Sequence, residues 1–317
     1  MNDLVKLTAR QAVDLLKNKK VSPLELIDAA LERIDEADGA INALPTICAD
    51  RAKHHARNLM DTQSSDDSPR GLLYGLPVAI KDLKDVAGVR STKGSPIYAD
   101  HVPETSDRLV TNIESRGGVI LAKSNTPEFG AGANTFNEVF GKTRNPWDTD
   151  LTCGGSSGGS GAALAAGEIW LATGSDFGGS LRIPASYCSV VGLRPTPGRV
   201  SHGPQAQPYG TLSVEGPMGR NVGDVALLLD TQSGSYAWNP QSLPAPHKSY
   251  VDSADSPIVP TRVAYTPDLG VATVDSSVAE VCRRAMSIFE TMGSQVDETT
   301  IELGNADEVF QTLRGAQ

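Results

Sequence analysis

"GGSSGGSG" (Gly154–Gly161) and "SDFGGSLR" (Ser175–Arg182) are two glycine-serine clusters within 30 residues of each other, separated by the small-residue run "AALAAGEIWLAT". Glycine gives backbone freedom at an entropic cost, so a folded chain that uses this much of it twice has a reason. One cluster alone reads as a linker or as a tight turn opening a helix. A phosphate-binding Walker loop requires Gly-Lys-Ser/Thr at its end, and no lysine is present. A dinucleotide fingerprint requires a strand immediately before it, and "NPWDTDLTC" does not read as one. The pattern G-x-S-x-G occurs twice, centred on Ser156 and Ser157, but a nucleophile elbow also requires a leading strand and a downstream acid and histidine. The downstream histidines, His202 and His247, lie in predicted loops.

A serine at its ordinary pKa is a weak nucleophile and needs a base. No histidine lies near either cluster, which turns attention to lysine. A lysine made neutral by burial can serve as a base. Lys81 ends the apolar run "GLPVAIK" and is the candidate. The segment by itself favours the plainer reading, a lysine at a strand end that snorkels or pairs with Asp82 or Asp85.

The flanking sequence sets the class. Thr8 with Gln11, and Ser22 with Pro23 and Glu25, are helix-start signals. Ile27, Ala30, Leu31 and Ile34 mark one face of the second helix. "DTQSSDDSPRG" (residues 61–71) is a loop by composition. Beyond it, "LPVAIKD" reads as a strand, "SDRLVTNIESRGG" as a helix and "VILAKSN" as a strand. "SGAALAAGE" follows as a helix, "IWLATGSD" and "RVAYTPD" as strands, 277–292 as a helix, residues 294–297 as a strand and the final "NADEVFQTLRGAQ" as a helix. This alternation is the α/β pattern. The stretches "HGPQAQPYGTLSVEGPMG" and "GSYAWNPQSLPAPHKSYVDSADSPIVPT" read as long loops, a length often associated with function.

The 317 residues allow a large core. A formal net charge of −10 argues against a general nucleic-acid surface. Four cysteines in no metal-binding spacing read as reduced thiols. No secretory h-region and no apolar run of about 18 residues is present, so the expectation is a cytoplasmic protein without a membrane span.

"GLPVAIKD", "TRNPWDTDLTCGGSSGGSGAALAAG" and "SDFGGSLRIPASYCSVVGLRPTPGRVS", in that order and spacing, resemble the amidase signature family. The likeness extends from "VSPLELIDAALERID" through "GPMGRNVGDVALLLD" to "RVAYTPD", nearly the whole chain. The resemblance implies an α/β fold with a mixed central β-sheet covered by helices on both faces. It implies one domain, 1–317, with a helical part over about 1–65 and an α/β core over about 66–317. Family members are usually longer by some 100 residues or more, so the part they carry at the C-terminus is expected to be missing here.

The resemblance also implies a Ser–cis-Ser–Lys triad. Ser180 matches the nucleophile, Ser156 the bridging serine after a cis peptide bond, and Lys81 the base. The backbone N–H groups of Phe177, Gly178, Gly179 and Ser180 match an oxyanion hole. Asp176 and Arg182 are expected to brace the nucleophile loop, and Ser157 to hydrogen-bond within the triad. Cys153 and Cys188 are expected to pack as small apolar residues. No metal and no organic cofactor is implied. The implied partners are a small-molecule amide and water, with a homodimer as candidate assembly and neither nucleic acid nor membrane.

Ile183 stands where the glutamyl-tRNA(Gln) amidotransferases usually have glutamine in their catalytic chain, and "RIPAS" looks more like stand-alone amidases. The expected substrate is a small or aryl carboxamide, with anilides and urethanes included. The catalytic chain of such an amidotransferase is the alternative, and so is a truncated, inactive chain that keeps the fold as a binding or assembly module.

Overall fold

The computed structural model describes residues 2–62, 72–203 and 207–315. Most of the expected 61–71 loop lies outside these residues. The chain divides into two compact units, Met1–Asp255 and Ser256–Gln317.

The first unit opens with three helices: α1 (Ala9–Lys17), α2 (Pro23–Ile41) and α3 (Ala49–Thr62), with the short strand β1 (Thr46–Ile47) before α3. Both capping boxes form. Thr8 pairs reciprocally with Gln11, and Ser22 with Glu25, with Pro23 in the first turn of α2. Next come β2 (Pro77–Lys81), α4 (Arg108–Ser115) and β3 (Val119–Ser124). Two small hairpins follow, β4 (Phe136–Asn137) with β5 (Gly141–Lys142), and β6 (Arg144–Asn145) with β7 (Asp148–Thr152). The unit closes with α5 (Gly158–Ala166), β8 (Leu171–Asp176), α6 (Arg182–Cys188), β9 (Val191–Gly192), β10 (Val214–Gly219), α7 (Val222–Gln232) and α8 (Tyr250–Asp255).

Six strands form one mixed sheet in the order β1-β3-β2-β8-β10-β9. β2 runs parallel to β3 and to β8, whereas β10 runs antiparallel to β8. Every residue of β2, β3, β8 and β10 is buried. Successive side chains of a strand point to opposite faces, so total burial means that both faces are covered. This is the mixed, helix-covered sheet expected. Val78, Ile80, Ile120 and Leu171 pack with Leu26, Ile27 and Leu164 in the core.

Three segments depart from the sequence reading. The stretch "HGPQAQPYGTLSVEGPMG", read as a loop, ends in β10, a fully buried strand paired with β8 in the central sheet, whose glycines and proline hide the apolar run a strand usually shows. "NPWDTDLTC" contains β7, five exposed residues with no apolar face, so it carries no periodicity to read. The long loop after Gly234 contains α8, one and a half turns anchored by Asp230, whose carboxylate accepts the N–H groups of Tyr250 and Val251.

In the second unit, β11 (Arg262–Tyr265) and β12 (Gln295–Glu298) pair in parallel around α9 (Ser276–Thr291), and α10 (Ala306–Gly315) follows. These elements match the expected strand, helix, strand and closing helix.

Candidate active site

Lys81 is the last residue of β2 and is completely buried. Its own N–H donates to Thr173 Oγ1 on β8 at 3.0 Å. The next residue, Asp82, locks this strand end in place. Its N–H donates to Ser124 O, and its carboxylate accepts Lys123 Nζ at 2.6 Å and Thr92 Oγ1 at 2.6 Å. The sequence alternative in which Asp82 pairs with Lys81 is therefore not realised: Asp82 is satisfied by a different buried lysine.

Lys81 Nζ lies 2.7 Å from Ser156 Oγ, 2.9 Å from Ser157 Oγ and 2.9 Å from Ser175 Oγ. Burial pulls its pKa down from an ordinary 10.5 to about 7, against the opposing pull of the Glu215 carboxylate. A neutral amine has two protons and one lone pair, which makes the three contacts assignable. Ser157 Oγ donates to Ser175 O at 3.3 Å and accepts Ser175 N–H at 3.2 Å, so toward Lys81 it accepts. With the second amine proton on Ser175 Oγ, the lone pair faces the closest hydroxyl, Ser156. The arrangement fits a base aimed at one serine.

The glycines explain how the loop reaches this point. The Gly155–Ser156 peptide bond is cis. A Cβ on Gly155 would stand 2.9 Å from the backbone of Asn134, closer than real contacts allow. Ser157 occupies the N-cap of α5 without a side-chain cap bond, because its hydroxyl is turned to Lys81 and Ser175.

Ser180 sits between β8 and α6, partly exposed. Its carbonyl accepts Ser157 N–H at 3.2 Å, which ties the two clusters together. Among the described residues no hydrogen bond joins its hydroxyl to that of Ser156. Such links commonly tighten only when substrate is bound. Gly179, with φ +113°, allows the turn into Ser180.

Asp176 and Arg182 form the expected brace, bidentate at 3.0 Å and 3.0 Å. Arg194 adds a third contact at 3.1 Å. Burial works to raise the Asp176 pKa, but Arg182 and the N–H groups of Gly179 and Leu181 outweigh it and hold it at about 2. This brace also engages one of the four expected oxyanion donors. Gly179 N–H donates to Asp176 Oδ1 at 2.9 Å and is already engaged. The N–H groups of Gly178 and Ser180 make no hydrogen bond among the described residues.

Cys153 and Cys188 are buried and free, and burial pushes both thiols up to about 12, so neither is a nucleophile. Among the described residues no group of three metal-ligating side chains converges. Ser175, Arg194 and Lys123 are the site neighbours that the sequence reading missed. Ser175 and Arg194 stand inside the family-like motifs, whereas the Lys123–Asp82 pair has no sequence signal because it spans two strands.

A mixed sheet that places a buried lysine against a cis-serine loop defines an amidase-signature architecture, and the comparisons agree. The family model described as Amidase matches residues 25–311, and the chain belongs to that family. It is 37% identical over 302 residues to an acylamidase of Rhodococcus erythropolis, covering 95% of this chain and 63% of that protein. It is 38% identical over 299 residues to the A-type chain of the glutamyl-tRNA(Gln) amidotransferase of Moorella thermoacetica, covering 94% and 61%. Among solved structures it superposes on a bacterial aryl acylamidase of the amidase signature family with a TM-score of 0.86 at 29% identity, covering 93% and 61%. A 6-aminohexanoate cyclic dimer hydrolase matches with a TM-score of 0.85 at 30% identity, covering 94% and 61%. The chain therefore spans about three fifths of the length of these relatives.

Proposed function

We propose that the chain hydrolyses carboxamides through an acyl-enzyme on Ser180, with Ser156 relaying protons and Lys81 as base. The observation that carries this reading is the Lys81–Ser156 contact of 2.7 Å around an amine whose pKa lies at about 7. Neutral Lys81 takes the proton of Ser156 Oγ as Ser156 takes that of Ser180 Oγ. Ser180 Oγ forms a bond to the amide carbon, and the carbonyl oxygen becomes an oxyanion facing Gly178 and Ser180 N–H. One such donor lowers a barrier by about 3 kcal/mol. The C–N bond then breaks, and the proton returns through Ser156 to the leaving amine. Water, deprotonated by the same pair, releases the acid and restores Ser180.

The resemblance to acylamidases supports small and aryl amides, including anilides, as substrates. The 38% identity to an amidotransferase chain favours a second reading, amide transfer from glutamine. Turnover of a chromogenic anilide without an ammonia acceptor supports the first reading, and glutamine-only turnover supports the second. Labelling with a serine-directed fluorophosphonate, followed by peptide mapping, tests the nucleophile. An adduct on Ser180 is expected, and an adduct on another serine with Ser180 intact overturns the assignment. A cytoplasmic setting, a homodimer and a single domain spanning 1–317 belong to this proposal. No helix among the described residues is long and apolar enough to cross a membrane.

A further inference from the structure

A second buried charge cluster stands beside the triad. Lys84, three residues after Lys81, holds its ammonium 2.9 Å from Glu215 Oε1 and 3.6 Å from Asp107 Oδ2. All three side chains are at least five-sixths buried. Three separate elements supply the cluster: the turn after β2, the N-cap of α4 and strand β10. Asp107 uses its other carboxylate oxygen to cap α4 through Leu109 N–H at 2.9 Å, which fixes its position. Burial works against the Lys84 charge, but Glu215 and Asp107 outweigh it and raise its pKa above the ordinary value. Burial, with Lys84 beside it, pulls the His202 imidazole below its ordinary pKa.

The cluster reaches the triad through Glu215. In the β8–β10 pairing Glu215 stands opposite Ser175. Directly opposed residues of an antiparallel pair project from the same face of the sheet. Ser175 Oγ is one of the three hydroxyls around Lys81 Nζ. The charged groups that act on Lys81 are Glu215 on β10, Lys84 beyond β2 and Asp176 at the end of β8. Asp176 is committed to Arg182 and Arg194. Glu215 and Lys84 are committed to each other.

We propose that Glu215 is a positioning residue for this site: by clasping Lys84 beside Ser175 it sets the balance of charge that Lys81 faces. The inference rests on the amidase reading. A pair of opposite charges at this place leaves Lys81 nearly undisturbed, whereas half of the pair does not. Removing Glu215 removes an anion and leaves a cation near the amine, which favours the neutral base. Removing Lys84 leaves Glu215 and Asp107 uncompensated, which favours the protonated base. The two substitutions therefore act in opposite directions, a result that loosened packing does not produce.

The test measures the inactivation rate of the full chain by a fluorophosphonate across pH 5–10, for wild type, E215Q, K84M and the double variant. Folding is checked by circular dichroism. Wild type is expected to show a rising limb near pH 7 that disappears in K81M. E215Q moves that limb to lower pH by roughly half a unit or more, K84M moves it up by a similar amount, and the double variant returns it close to wild type. K84R, which keeps the charge, leaves the limb in place. Limbs that stay fixed, or that move the same way in both single variants, overturn the inference while the amidase reading stands. If E215Q does not fold, the K84M profile decides alone: an upward shift supports the inference and no shift overturns it. A wild type that labels no Ser180, or that keeps its limb in K81M, refutes the amidase reading and this inference with it.

Discussion

Lys81 Nζ and Ser156 Oγ lie 2.7 Å apart inside a shell from which the lysine has no access to solvent. The relationship joins the end of one central strand to a loop 75 residues further along the chain. Its energetic content lies in the protonation state. A charged amine at this place is disfavoured by burial, so the fold itself selects the form that can act as a base.

The first prediction follows from the sign of that shift. Below pH 7 Lys81 is protonated and the site lacks its base, so turnover rises through about pH 7 and levels off above it. Lys81→Ala is expected to abolish turnover with little change in fold, and Lys93→Ala to leave it nearly unchanged. Stability carries the complementary signature. The folded state gives up this proton near pH 7 and the unfolded chain near 10.5, so stability rises with pH across that window. Lys81→Met removes the burden of the charge, and its effect on Tm is expected to be more favourable at pH 6 than at pH 9. Thermal melts at the two pH values check it.

The second prediction separates a relay from a helix cap. Removing a side-chain cap costs about 1 kcal/mol and leaves chemistry alone. Ser157 stands at the cap position of α5, so Ser156→Ala has no cap to remove. It is expected to change Tm little and to reduce kcat by several powers of ten, each 1.36 kcal/mol of barrier being about tenfold. Near-wild-type turnover in Ser156→Ala removes Ser156 from the triad.

How much of this is readable in the sequence depends on how local each interaction is. The capping boxes of α1 and α2 are, because a box is four consecutive residues. The α/β alternation is, because buried strands and helices carry apolar runs of different length. The Lys81, Ser156 and Ser180 assignments come from motif order, and the structure brings Lys81 to Ser156 and ties Ser180 to Ser157 through the backbone. The Lys123–Asp82 and Lys84–Glu215 pairs are not readable. Each joins a residue just after β2 to a strand 41 or more positions further along, a pairing no local pattern specifies. The exposed hairpin β6–β7 escapes for the opposite reason, since a strand without a buried face has no alternation. The motif also cannot show that Asp176 turns back to take Gly179 N–H.

The third prediction concerns that carboxylate. Asp176 binds two arginines and the N–H groups of Gly179 and Leu181. Asp176→Asn keeps the shape and removes the charge, leaving Arg194 and Arg182 unpaired at the nucleophile loop. Breaking one partner of such a buried pair costs about 3–5 kcal/mol. More than half of the Arg182 side chain is exposed, so the lower end is expected. The Asp176 pKa lies at about 2 in the fold and near 3.8 unfolded. Its stabilisation is therefore complete above about pH 4 and is lost as pH falls toward 2. Urea melts at pH 7 and pH 3 should show the mutant's deficit at pH 7 and a smaller one at pH 3.

The fourth prediction uses a residue outside the triad. Glu168 is completely buried in the turn between α5 and β8, and neither of its carboxylate oxygens has a hydrogen-bond partner among the described residues. Burial, with Asp38 nearby adding to it, pushes its pKa up to about 9. At neutral pH the folded state therefore holds a neutral carboxylic acid, whereas the unfolded chain holds a carboxylate. With the folded pKa above the unfolded one, the burden is absent below pH 4.5 and grows as pH rises toward 9. Glu168→Gln keeps the size and the neutral state without requiring a proton. It is expected to match wild type in Tm near pH 4.5 and to exceed it by a margin that widens up to pH 9, with turnover unchanged relative to wild type because Glu168 touches none of the three triad residues. A Tm difference that does not depend on pH would show that Glu168 is charged in the folded state, paired in a way that offsets its burial.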